Sequence, residues 1–309
     1  MTPEGEFLRR AGIEKHWVTS SGYMSCVSPS GKYLGATAAK AFEAFRSLPE
    51  DERSPGAVKV PELKPSERYI PSPPVAGLVL KVHARPLHRD DKGELRKATV
   101  DDFPLMDGRQ GLRLFLEPNT EYMWLTEAEW KSLLPAKLVK GTKLAVPPAI
   151  VERMARFHLS PRRAMTSEGG ILAKKEIKSA ELTLEIVDVA PERIRLYLEG
   201  YIHTGSDYDE AQATSPNGPL AFGYAAAMHG FLEYDRKSKQ FVRFDTLALG
   251  DVWGRWGDAN GKSLFAERPG QSPFVFVFEL ANGNTATNRL PPGGNGLRSI
   301  EHGYFTTSK

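Results

Sequence analysis

Residues 182–202, LTLEIVDVAPERIRLYLEGYI, are the part of this sequence that decides its fold. Apolar residues alternate with polar ones from Leu182 to Ile186, and they alternate again from Ile194 to Ile202 after a proline turn. A period of two is expected of a strand that buries one of its faces. The stretch therefore predicts a long antiparallel β-hairpin.

Four more segments carry strand patterns. Residues 78–85 alternate in the same way, and residues 225–234 and 241–249 form a second hairpin on either side of a charged turn. Residues 274–280 are almost continuously apolar, which predicts a strand that is buried on both faces. Together with the first hairpin, these segments indicate a β-rich fold.

Two helices are predicted between the strands. Thr126-Glu-Ala-Glu129 is a capping box, and a second helix should begin after Pro147-Pro148 and end at His158. At that last position a cationic histidine would favour the negative end of the helix dipole. The predicted fold is mainly β (α+β overall), an antiparallel β-barrel or sandwich with two short covering helices.

The composition is that of an ordinary folded protein. Of 309 residues, 40% are hydrophobic and 26% are charged, which is enough apolar material for a core. The 41 basic residues are interleaved with 38 acidic ones, so the net charge of +3 gives no support to nucleic-acid binding. A single cysteine, Cys26, excludes an intrachain disulfide and a CxxC pair within these residues.

The sequence also bears on the compartment. Its longest apolar run, residues 274–278, is too short to span a bilayer, and the N-terminus carries acidic residues and glycine in place of an apolar signal-peptide core. We therefore expect no transmembrane segment and a soluble, cytoplasmic protein as the chain is written. Export becomes the expectation if Met1 is not the natural start.

Proline usage suggests how the chain is divided. Seven prolines lie between positions 49 and 74, and they keep the backbone extended there. We therefore predict a small ββα segment over residues 1–55, a proline-rich linker over 56–76, and a β-rich barrel or sandwich domain over 77–309.

The small segment is predicted from its turn and its helix. A Pro-Ser-Gly turn divides residues 26–35 into a hairpin, and Thr37 can cap the helix that follows. The expected apolar face of that helix comprises Ala41, Phe42, Phe45 and Leu48. This hairpin and helix resemble the closing ββα portion of a thioredoxin-like domain. The CxxC pair of that family and its proline ahead of the strand are absent, so the resemblance implies no redox activity.

A second resemblance covers most of residues 25 to 280. The sequence is similar to a group of uncharacterised bacterial proteins in which a thioredoxin-like segment precedes a β-rich domain, often behind an export signal. The resemblance implies this domain order and favours export, and it implies no reaction. The stretches that carry it are residues 230–235, 241–245, 247–250 and 253–254, with Arg156-Phe-His-Leu159 upstream.

One loop is the first candidate for a binding site. Two tryptophans, Trp253 and Trp256, flank Arg255 in the glycine-punctuated segment Gly250–Lys262, which contains Asp258 and directly follows a predicted strand. Aromatic faces and a planar cation on such a loop can hold a ligand or a partner. The alternative is that the tryptophans cap the end of the β core, with Arg255 stacked between them.

Histidines and carboxylates provide a second candidate. His203 lies on the polar face of its predicted strand, and His229 lies on the neighbouring hairpin with Asp245. If those strands pair, the three residues could form an acid/base or metal site. The common catalytic and nucleotide-binding motifs are absent from the sequence.

The sequence therefore favours a binding or interaction protein whose β-rich domain uses the aromatic and glycine-rich loop near 250–262. Its ligand or partner, a small molecule or a protein, is unknown, and no cofactor is implied. The alternative is a hydrolytic or metal-assisted enzyme whose site is assembled from dispersed His, Asp and Glu residues of the β domain.

Overall fold

A computed structural model describes residues 26–35, 37–54, 72–103, 116–161, 171–210, 222–254 and 270–281, together with 290, 292 and 303–306. The chain divides into two compact units, Met1–Ser66 and Glu67–Lys309. The division falls within the predicted linker at 56–76.

The first unit contains a small hairpin and two helices in its described residues. Strand β1 (Cys26–Val27) pairs antiparallel with β2 (Tyr33–Gly35), and helices α1 (Ala38–Arg46) and α2 (Glu50–Arg53) follow. The hairpin and the first helix are at the predicted positions.

Two details of helix α1 differ from the sequence expectation. Thr37 is the residue before the helix, but its side chain makes no capping hydrogen bond. On the expected apolar face, Ala41 is buried while Phe42 is 64% exposed. Helical spacing places residues on one face, but it does not determine what covers that face.

The second unit is dominated by strands. In the described residues they are β3 (Leu78–Arg89), β4 (Leu95–Lys97), β5 (Asn119–Leu125), β6 (Lys143–Ala145), β7 (Ile177–Val189), β8 (Arg193–Gly205), β9 (Phe222–Asp235), β10 (Gln240–Gly254) and β11 (Ser272–Leu280). The helices are α3 (Glu127–Lys131) and α4 (Pro148–Arg153), and α4 continues into a π-helical turn at Met154–His158. None of the described helices is long and apolar enough to cross a membrane.

All nine strands belong to one antiparallel sheet. Its order is β4-β3-β11-β10-β9-β8-β7-β6, and β5 pairs with β3. Both predicted long hairpins are present, because β7 pairs with β8 and β9 pairs with β10. The large antiparallel sheet with few helices confirms the predicted strand-rich class. Among the described strands, no pairing between β5 and β6 closes the sheet.

One face of the sheet forms the core. Leu184, Leu196, Met228, Ala248 and Phe276, each on a different strand from β7 to β11, are all buried in one apolar cluster. Side chains from α3 and α4 join the same cluster. Full burial of a leucine, methionine or phenylalanine side chain stabilises the fold by about 1.5–3 kcal/mol, so burial of this face contributes substantially to stability.

The prediction that residues 274–280 are buried on both faces was wrong. Phe274, Phe276 and Phe278 are inaccessible, but Val277 points to the other face and is 36% exposed. Strand β11 therefore alternates like its neighbours. Valine is favoured in strands because it fits a pleated surface, so its presence does not require a second buried face.

The two predicted helix starts in this unit are confirmed. The Thr126 hydroxyl accepts from the backbone N–H of Glu129 at 3.3 Å, and the Glu129 carboxylate accepts from the backbone N–H of Thr126 at 2.8 Å. Helix α4 has its proline in the first turn, where no backbone donor is needed. Helices α3 and α4 carry Glu129 and Arg153, whose side chains are hydrogen-bonded to each other.

Candidate functional site

The structure places only part of the predicted tryptophan loop. Trp253 lies at the end of β10, where the described residues stop at Gly254. Arg255, Trp256 and Asp258 lie outside the described residues.

Three aromatic rings meet at Trp253. The ring of His203 is 5.7 Å from the indole between centroids, and the ring of Tyr208 is 5.8 Å away in an edge-on arrangement. Such geometries are favourable for aromatic pairs. We call this group, with the nearby Asp251, the aromatic corner.

A glycine allows the indole to lie flat against the sheet. Gly223 is the register partner of Trp253, and a Cβ built on it would lie 2.4 Å from the indole and 2.3 Å from the carbonyl oxygen of Ser206. No side chain larger than hydrogen fits there. The position of the Trp253 ring therefore depends on Gly223 on the neighbouring strand as well as on Trp253 itself.

The indole carries an unpaired donor. Trp253 is only 5% exposed, and its Nε1–H has no acceptor within hydrogen-bonding distance among the described residues. Leaving a buried donor unpaired costs about 1–3 kcal/mol. An unpaired buried donor in a native structure needs an explanation, and an acceptor atom on a bound ligand would provide one.

Two carboxylates border the corner with different surroundings. Asp251 is half-buried, and its desolvation raises the pKa of its carboxyl group, partly opposed by the charge of Arg89. Asp207 is exposed, with its carboxylate 3.8 Å from His203 Nε2. His203 and Asp251 face the same side of the sheet, because both are register partners of Ala225.

The other predicted acid/base residues do not join His203. His229 is four residues along β9 from Ala225, a separation of roughly 13 Å at the usual strand rise, and its side chain is exposed. Asp245 is paired with Arg243 at 2.5 Å. Among the described residues, no group of three or more His, Cys, Asp or Glu residues could hold a metal ion.

A second polar cluster lies buried beside β5. His158 Nδ1 is 2.6 Å from the Glu121 carboxylate, and His158 Nε2 is 2.7 Å from the Tyr304 hydroxyl. The Tyr304 hydroxyl also accepts from the backbone N–H of Trp124 at 3.1 Å. We call this chain of bonds the histidine network.

Arg153 connects the histidine network to helix α3. Its guanidinium forms a bidentate pair with Glu129, and its Nε–H donates to the Tyr304 carbonyl at 2.7 Å. Burial pushes the pKa of the Glu129 carboxyl group up, but hydrogen bonds from Arg153 and Thr126 outweigh it and hold the pKa below its usual value. Arg153 therefore joins α4, α3 and the chain near Tyr304.

The sequence expectation for His158 was wrong. Rather than a cation stabilised by the helix dipole, it is fully buried at the end of a π-helical turn. Desolvation and the nearby charge of Arg153 lower the pKa of its imidazole well below the usual value. One signal in the sequence could have indicated this site. The run from Glu121 to Leu125 is apolar after its first residue, so the Glu121 carboxylate lies at the start of a segment that is expected to be buried.

The aromatic corner makes a direct prediction about Gly223. We expect Gly223→Ala to displace the Trp253 ring, to expose the indole, and to cost about 1–3 kcal/mol of stability from overpacking. The measurement is the tryptophan emission maximum together with urea unfolding. The control is Ala227→Ser, because Ala227 is exposed on the same strand. An unshifted emission in Gly223→Ala would contradict the described contact.

No family model, no curated protein and no solved structure matches this chain.

Proposed function

We propose that this protein is a binding protein whose β-rich unit holds a ligand or partner at the aromatic corner. The single observation that supports the proposal most is the buried Trp253 indole, whose N–H finds no acceptor among the described residues. A ligand oxygen that accepted this bond would satisfy a donor that now costs about 1–3 kcal/mol.

The chemistry around the indole supports the same proposal. Tyr208 is 39% exposed and offers an aromatic edge and a hydroxyl, and Asp207 and Asp251 offer carboxylate acceptors. Aromatic rings beside carboxylates suit ligands with a cationic group, and they equally suit hydroxyl-rich ligands that stack on a ring. Arg255, Trp256 and Asp258, the other residues of the predicted binding loop, stay in the proposal on the ground of the sequence alone.

Direct binding measurements test the proposal. We would titrate the whole chain with choline, with Nα-acetyl-lysine amide and with a neutral oligosaccharide, following tryptophan fluorescence and calorimetry. The expected result is saturable binding of one class and a loss of roughly tenfold or more in affinity in Tyr208→Ala, equivalent to about 1.4 kcal/mol.

The matched control is Tyr201→Ala. Tyr201 is an exposed tyrosine on the same face of β8 as His203, and it makes no described contact with Trp253. Equal affinity in wild type, Tyr208→Ala and Tyr201→Ala would place any binding elsewhere. No saturable binding of any of the three probes would count against the proposal as a whole.

The enzyme alternative stays a prediction with less support. His203, His229 and Asp245 are spread over the sheet face, and the histidine network is buried away from a substrate. Further parts of our proposal are that the sheet forms a barrel or sandwich, that residues 1–55 resemble the end of a thioredoxin-like domain, and that the chain is similar to uncharacterised bacterial proteins that often carry an export signal. The ββα order of the described first unit is consistent with the second of these.

A further inference from the structure

The strand that crosses the aromatic corner carries only small side chains there. On β9, Gly223, Ala225 and Ala227 face the same side of the sheet as Trp253, because Gly223 is the register partner of Trp253 and residues two apart on a strand share a face. We call the outward surface of these three residues the β9 floor. It lies lower than the side chains of the strands on either side of it.

Two polar side chains border the β9 floor at Ala225. His203 of β8 and Asp251 of β10 are both register partners of Ala225, one on each side. Their Cα atoms are therefore two strand spacings apart, which is roughly 10 Å. A six-membered ring fits between side chains at that separation, with its flat side against the Ala225 methyl group.

The Trp253 indole leans over one end of the β9 floor. A Cβ built on Gly223 would lie 2.4 Å from the indole Cε2 atom, which is the carbon bonded to Nε1. The N–H edge of the ring is therefore the edge that lies over β9. Since this buried N–H has no acceptor among the described residues, a ligand on the β9 floor meets an unsatisfied donor at that end.

The other polar groups at the corner are mostly acceptors. The Ser206 carbonyl oxygen can only accept, so His203 Nε2, which is 3.3 Å away, carries the ring proton. In the neutral ring Nδ1 is then an acceptor, and the carboxylates of Asp207 and Asp251 accept as well. A complementary ligand therefore supplies several donors and at least one acceptor within a short distance.

Hydroxyl groups meet this requirement better than ammonium or amide groups do. A primary ammonium donates and never accepts, and a quaternary ammonium has no N–H to donate. A peptide amide offers one donor and one acceptor on opposite edges. Each hydroxyl group both donates and accepts. The charge of Arg89, which acts on the Asp251 carboxyl group, also opposes a cationic ligand beside that group.

We propose that the aromatic corner recognises a neutral saccharide, with one sugar ring seated on Ala225 between His203 and Asp251. One hydroxyl group donates to the Asp251 carboxylate, and an oxygen of the same sugar accepts from Trp253 Nε1–H. The apolar face of the ring packs on the β9 floor. This inference rests on the proposed function and narrows it to one class of ligand.

Tyr208 gives the ligand a way to the indole. Its ring covers Trp253 edge-on at 5.8 Å, and it lies on the segment that follows β8 instead of within the sheet. Because the indole N–H is inaccessible, a ligand oxygen reaches it only when a neighbouring side chain moves. Tyr208 can move without breaking a strand pairing, and its ring then packs against the exposed side of the sugar.

Titrations of the whole chain with neutral sugars test the inference. The probes are the methyl glycosides of glucose, galactose and mannose, whose hydroxyl groups differ in orientation, with choline as the cationic comparison. Saturable binding should move the NMR resonance of the Trp253 indole proton downfield, because that proton gains an acceptor. Trp253→Phe identifies the resonance.

Salt and chain length define the ligand further. Since the ligand is uncharged, its affinity should change by less than about twofold between about 0.05 and about 0.5 M salt. The bound glycoside is also compared with a trisaccharide that ends in the same sugar. Equal affinities would identify a single sugar as the recognised unit, and tighter binding of the trisaccharide would identify a longer glycan.

A matched pair of variants tests where the ring lies. Ala225→Val fills the space between His203 and Asp251, and it should weaken sugar binding roughly tenfold or more. Ala227→Val makes the same change two residues away on the same face, and it should leave the affinity within about twofold. Valine is favoured in strands, so neither variant should disturb β9. Urea unfolding checks that both variants fold.

The outcomes separate this inference from the proposed function. Binding of choline or of Nα-acetyl-lysine amide that depends on Tyr208, without binding of any sugar, would overturn the saccharide and leave the binding site in place. No binding of any probe would overturn both. Sugar binding that leaves the Trp253 resonance unmoved, or that is equally strong in Ala225→Val, would overturn the inference. If Ala225→Val does not fold, Asp251→Asn replaces it, with an expected loss of roughly fivefold because the acceptor loses its charge; an unchanged affinity there would overturn the inference as well.

Discussion

Arg153→Met is expected to destabilise the β-rich unit by about 3–5 kcal/mol, because it leaves the Glu129 carboxylate without its buried partner. The guanidinium is 4% exposed, and it also satisfies the Tyr304 and Trp124 carbonyls. Methionine keeps the length of the side chain but supplies no donor, so the variant isolates the polar contacts from the packing. Urea unfolding should show a lower midpoint with an unchanged slope.

The matched control is Lys131→Met on helix α3. Lys131 pairs with Glu127 one turn away on the exposed surface, and such pairs contribute about 0.3–0.5 kcal/mol. A second control, Glu129→Gln, removes the charge but keeps an acceptor for Arg153. If Arg153→Met costs no more than Lys131→Met, the ion pair does not hold α4 to α3 as described.

Phe276→Ala is expected to cost about 3–5 kcal/mol, whereas Val277→Ala, one residue away on β11, should cost well under about 1.5 kcal/mol. Phe276 is inaccessible in the core cluster, and its ring packs against Tyr224 with centroids 5.5 Å apart. Val277 faces the other side of the sheet and remains partly exposed. The measurement is again the free energy of unfolding in urea.

This pair of variants tests whether β11 is buried on one face or on both. If β11 were buried on both faces, each substitution would leave a cavity, and the two costs would be comparable. A Val277→Ala cost as large as that of Phe276→Ala would therefore show that another surface covers this face. The comparison is internal to one strand, so effects of strand pairing cancel.

Local patterns in the sequence accounted for most of the secondary structure. The hairpins β7–β8 and β9–β10 follow from alternation, and helix α3 follows from the Thr126–Glu129 capping box. Strand β5 was not predicted, although its run from Glu121 to Leu125 is apolar after the first residue. It is short, lies between other elements, and obtains its partner, β3, from far away in the sequence.

The sites were less predictable than the strands. The sequence singled out Trp253 and His203 for different reasons, as a loop aromatic and as a polar-face histidine, and only strand register places them 5.7 Å apart. The glycine that permits this contact, Gly223, gives no signal by itself, because its role depends on lying opposite Trp253. His158 was assigned to a helix end that is in fact buried.

The sequence by itself thus determined the parts of this protein that depend on neighbours along the chain: the alternation that makes strands, the caps that start helices, and the division near the prolines. Tertiary structure alone decided which face of β11 is covered, that His203 rather than His229 meets Trp253, and that His158 joins Glu121 to Tyr304. The physical reason is distance along the chain. Glu121, His158 and Tyr304 are separated by 37 and 146 residues, so their hydrogen bonds exist only once the sheet has brought them together.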